Sequence, residues 1–158
     1  MEKDQVLRDQ LIEMLTGEHA HVNFDNAIKG IPEKLIGVRP DKIPYSIWQI
    51  TEHIRITQWD ILEFSRKEQH ISPKWPQGYW PKNEAPQDIS EWKESLRLIK
   101  NNRDSLIEMI ADHNNDLLRP FPYGQGQNLL REALLVIDHT SYHTGEIIAV
   151  RRLLGSWK

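Results

Sequence analysis

From Leu129 to Leu154 the positions Leu129, Ala133, Val136, Thr140, His143, Ile147, Val150 and Leu154 step by alternating intervals of four and three. A helix with one buried seam has that spacing. A chain that carries such a seam must supply other elements to cover it. His143 sits on the seam, and His139 lies one turn earlier, so both imidazoles project from the same side. Two imidazoles so placed can share one divalent cation if other elements add ligands.

The same periodicity predicts three more helices. The first spans Asp4 to Ile28, with Leu7, Leu11, Met14, Leu15, Val22 and Ile28 as its stripe and Gly30 and Pro32 as its stop. Gly17 interrupts it, as a kink or a helix contact. The second starts at Ser46, where Gln49 completes a capping box, carries Ile47, Ile50, Ile54, Ile61 and Leu62, and fades near His70. The third starts near Asp88, with Glu91 completing the cap, and ends around Asn114 and Asn115. Trp92, Leu96, Ile99, Leu106, Met109 and Ile110 mark its stripe. Arg103 breaks that stripe, by snorkelling or by pairing with an acid. Asn128 caps the fourth helix and Gly155 stops it.

Two connections are long. Ile71 to Gln87 holds Pro73, Pro76, Pro81 and Pro86, which forbid helix, and Trp75, Tyr79 and Trp80, which a disordered linker would lack. It reads as an ordered loop over one end of a bundle, with its aromatics packing or walling a pocket. Leu117 to Gln127 is the second. The expected architecture is all-α: one domain over residues 1–158, a four-helix bundle with long connecting loops.

Composition narrows the chemistry. Cysteine is absent, which removes disulfides, thiolate nucleophiles and Cys-type zinc sites. Twenty basic against 23 acidic residues, net −3, oppose a general electrostatic grip on nucleic acid. No apolar run approaches the roughly 18 residues of a membrane span. The start Met-Glu-Lys-Asp-Gln lacks the basic and apolar segments of a signal peptide, so the expected compartment is cytoplasmic.

For His139 and His143 the plain alternative is two core-edge histidines bonded to backbone or water. Burying both is costly unless their nitrogens find partners, and a cation satisfies both at once. His53, on the inner border of the second helix, is the expected third ligand. Three neutral imidazoles with open positions form a catalytic layout for zinc, and imidazole also suits nickel, iron and manganese.

The run His139-Thr-Ser-Tyr-His-Thr-Gly-Glu-Ile-Ile-Ala-Val-Arg-Arg-Leu-Leu-Gly155 resembles the last helix of DinB-like proteins. Ser46-Ile-Trp-Gln-Ile-Thr-Glu-His53 is similar to their second helix, and Gly78-Tyr-Trp-Pro81 to a loop of some members. The resemblance implies a four-helix bundle, often dimeric, with a three-histidine site for a divalent metal ion, often zinc or nickel. His53, His139 and His143 would be the metal ligands. It also implies a metal-dependent hydrolase, or a transferase using a low-molecular-weight thiol, acting on a small-molecule substrate. Glu146 stands where glutamine is common in that family. It reads either as an acceptor or base beside His143 or as a solvated carboxylate.

Glu52 and Asp138 point away from the ligand face and read as structural, and Tyr142 as packing. His19 or His21 could line a pocket opposite the metal, although helix-surface histidines are commoner. His70 and His113 suit helix ends, as Arg151 and Arg152 suit the last turn. Trp48 and Trp59 read as packing residues. The competing functions are a non-catalytic metal- or ligand-binding bundle and a plain bundle without metal.

Overall fold

The computed structural model describes residues 2–17, 20–41 and 43–157. Among them the structure is all-helical, with no strand. The α-helices are α1 (Glu2–Thr16), α2 (Phe24–Ile28), α3 (Ile47–Arg66), α4 (Ile89–Ala111) and α5 (Leu129–Leu153). Helix α3 is central, packed chiefly against α4 and α5, while α1 lies on α4.

The first predicted helix is two. Its hydrogen bonding stops at Gly17, whose amide reaches Glu13 at 2.7 Å. The chain restarts at Asn23, whose side chain accepts from the Asn26 amide at 3.0 Å and caps α2. A glycine of poor helix propensity followed by a strong capping residue outweighs the continuous stripe. Met14, on that stripe, is half exposed.

Two helices stop earlier than their patterns suggest. In α3 Lys67 turns extended, with φ −137°, and His70 folds back onto Asp60. In α4 the end is set from outside. The Arg8 guanidinium, on α1, binds the carbonyls of Ile110, Asp112 (3.1 Å) and Asn115 (2.7 Å). Ile110 is one of the acceptors a helix end leaves unpaired, and Asp112 and Asn115 belong to the turn that follows.

The capping box at Ser46 forms in both directions. Ser46 Oγ also donates to the Glu84 carbonyl, tying the start of α3 to the loop over residues 71–87. Ser46→Ala is therefore expected to cost about 1–2 kcal/mol, at the upper end for a lost cap. Urea denaturation measures it; a loss below about 0.5 kcal/mol would mean the second bond adds nothing.

The core has two apolar clusters. One gathers Phe24, Trp48, Ile50, Ile54, Trp92, Ile99 and Ile147; the other gathers Leu11, Ile61, Leu62, Leu106, Ile110, Ala133 and Val136. The seam of α5 passes from one to the other. Between Val136 and Ile147 it carries Thr140, His143 and Thr144, so the break between clusters is polar.

Candidate metal centre

His53 on α3 and His139 and His143 on α5 converge. One ring nitrogen from each lies within 4.8 Å of the others. Nitrogens held about 2.0–2.1 Å from a tetrahedral zinc stand about 3.3 Å apart; His53 Nε2 and His139 Nε2, 3.0 Å apart, are near that separation, and a wider pair would draw in around the ion.

The hydrogen bonds behind the rings fit the same use. His53 Nδ1 lies 2.8 Å from the Tyr79 carbonyl. A carbonyl only accepts, so Nδ1 carries the proton and Nε2 keeps its lone pair. That Nε2 is 3.0 Å from His139 Nε2. His143 Nδ1 meets Glu146 Oε2 at 2.6 Å, which leaves its Nε2 free to bind. His139 Nδ1 is buried without a protein partner.

Burial lowers the pKa of His53, and the nearby His143 lowers it further. His139 is held down to about 3, first by burial, then by His143 and His53. Both are neutral at pH 7, the form that ligates.

The loop over residues 71–87 builds one wall. Trp80 lies between Tyr45 (3.9 Å between ring centroids, 13° between planes) and His53 (4.0 Å, 2°). Tyr79 Oη donates to Asp60 at 2.5 Å. Burial and the Asp60 carboxylate push that phenol up to about 12, so it remains a donor. Asp60 thus anchors the residue whose carbonyl orients His53. Its sequence signal was its place on α3, seven residues beyond His53 and so on the same face.

The other readings divide. Glu52 is structural, in contact with Arg55 and Ser95, and Asp138 is exposed. Tyr142 does not pack: it is 66% exposed, with its ring edge-on to His143 at 4.9 Å. Trp48 is buried, while Trp59 is 37% exposed. Arg103 pairs with Asp25 at 2.8 Å. His21 hydrogen-bonds Ser141 at 2.8 Å and lines a cleft on another face of α5, away from the three histidines. His19 lies outside the described residues.

An all-helical protein in which two helices bring three imidazoles together is a bundle able to hold a metal ion. The DinB superfamily model matches residues 17–147, most of the chain, and the chain belongs to that superfamily. No curated protein matches it.

A pH dependence follows for the metal-free protein. The unfolded His139 takes up a proton near pH 6.5, whereas the folded one does so only near pH 3. The unfolded state therefore binds more protons in that window, and stability falls as pH drops below 6.5. Melting curves in a chelator from about pH 7 to pH 5 should show this, with a shallower slope for His139→Asn. An equal slope would remove the assignment.

Proposed function

We propose that this DinB-superfamily protein binds one divalent metal ion through His53, His139 and His143. We further propose that it acts as a metal-dependent enzyme on a small molecule, by hydrolysis or by transfer of a low-molecular-weight thiol. The observation that carries the reading is the tautomer control. The Tyr79 carbonyl and the Glu146 carboxylate each accept a hydrogen bond from an Nδ1–H, which leaves Nε2 lone pairs on His53 and His143 beside His139. When bound, zinc or nickel (iron and manganese suit the same donors) supplies Lewis acidity, which makes water or a thiol nucleophilic at neutral pH.

The chain's own groups do the rest. Trp80 and the Tyr79 carbonyl fix the plane of His53. Glu146 holds His143 with one oxygen; its side chain is 36% exposed, so the other oxygen can take a proton from solvent or substrate. Tyr142, largely exposed, stands edge-on to the His143 ring. The proposed setting is a cytoplasmic homodimer, which sedimentation of the purified chain checks for oligomeric state.

Glu146 has a test that separates its two roles. Glu146→Ala should weaken metal binding by about 10–100-fold, because His143 loses its orienting acceptor. Glu146→Gln keeps an acceptor and should retain metal while slowing turnover by roughly a hundredfold. Elemental analysis of tag-free protein, paired with hydrolysis and thiol-transfer screens, reads both. Stoichiometric metal with no turnover on any electrophile would favour a non-catalytic metal-binding bundle.

A further inference from the structure

Helix α5 has a second polar face beside the histidine face, formed by Thr140, Ser141 and Thr144. It lines a cleft of about 120 Å³ whose other walls include Met14 and Leu15 of α1, Phe24 of α2 and Ile99 of α4. None of His53, His139 and His143 lines it. The walls are largely apolar. The floor is not: Gln58 of α3 reaches it and is only 4% exposed.

Gln58 is half satisfied. Its Nε2 donates to Thr140 Oγ1 at 3.0 Å, while its Oε1 is buried with no protein partner. Reversing the amide does not help, because Oε1 would then accept from the threonine hydroxyl and Nε2 would be left unpaired. A buried polar atom left without a partner is costly, so a ligand that supplies one is favoured. At the rim, Arg103 also has an unpaired buried Nε. Its charge is already met by Asp25, 2.8 Å away. The described lining thus offers largely apolar walls and one unmet amide group, with His21 held by Ser141 and Arg103 by Asp25.

We propose that this cleft is a second ligand site, separate from the metal centre. It takes a neutral, compact, mostly apolar molecule bearing one hydroxyl. A hydroxyl both donates and accepts, so it completes Gln58 in either amide orientation. The apolar body fills space comparable to a cavity of about 150 Å³ that accepts benzene. Charged ligands are disfavoured, because the Arg103–Asp25 pair leaves no counter-charge and desolvation is costly. The proposal does not depend on metal: the same binding is expected in a chelator.

Benzyl alcohol and toluene are the probes, since they share a ring and differ by the hydroxyl. Titration of tag-free protein followed by NMR should give saturable shifts of the Gln58 side-chain amide and the Ile99 and Val136 methyls. Benzyl alcohol should bind roughly five- to tenfold more tightly than toluene. Gln58→Leu should abolish that preference. Should that variant not fold, intermolecular NOEs from the ring to Ile99 and Val136 in the unaltered protein carry the test. Equal affinity for the two probes, shifts confined to His139 and His143, or no saturation, as for a cleft that holds water only, would each overturn the proposal.

Discussion

Replacing His53, His139 or His143 with alanine is expected to drop bound metal from about one ion per chain to less than roughly a tenth. Metal-dependent activity should go with it. The reason is the donor count: each histidine supplies one of three nitrogens at a single point, and the remaining pair no longer holds the ion against water. Stability gives a second readout. An ion that binds only the folded state at about a thousand times its Kd adds about 4 kcal/mol. For a chain of this size that raises Tm by about 10 °C. The unaltered protein should show that rise on adding zinc or nickel, and the three variants should not. A His53→Ala protein that still binds metal stoichiometrically would detach α3 from the site and end the three-ligand reading.

Arg8→Met and Arg151→Met are expected to be the most destabilising substitutions outside the core, each costing about 2–4 kcal/mol. Both arginines are buried. Arg8 serves the carbonyls at the end of α4. Arg151 serves those of Ala27 (2.5 Å) and Lys29 (3.1 Å) beyond α2, and that of Ser156 (2.8 Å). Methionine keeps the aliphatic stem but removes the donor from three carbonyls at each site; Asp112 keeps the Asn115 amide at 3.0 Å, whereas the contacts to Ile110 and Ala27 are buried. Removing a buried charge returns part of this, which is why the range stops short of the full penalty. The two arginines share no partner, so the double variant should show close to the sum. Urea denaturation measures all three; a loss below about 1 kcal/mol for Arg8→Met would mean solvent replaces the guanidinium at the end of α4.

Neither arginine announced this role. Arg151 read as a residue suiting its own helix terminus, and it does lie in the last turn of α5. Its guanidinium instead reaches a different helix, 124 residues away in the chain. The loop over residues 71–87 was legible as ordered, from its aromatics among prolines. That Trp80 would stack on His53, and that the Tyr79 carbonyl would set its tautomer, was not. Glu146 stood between two readings, and the structure puts it on His143.

What the sequence determined alone was whatever repeats within a few residues. The four-three seam of α5, the caps at Ser46, Asp88 and Asn128, the stop at Gly155 and the shared side of His139 and His143 all follow from 3.6 residues per turn and local hydrogen bonds. The break at Gly17 shows the limit: the apolar stripe continued, but a glycine and a capping asparagine ended the helix. Only the tertiary structure decided that His53 meets a histidine 86 residues later, that Asp60 anchors Tyr79, and that Gln58 keeps one amide atom unpaired. Those contacts join helices through side-chain packing, and no local periodicity encodes which faces will meet.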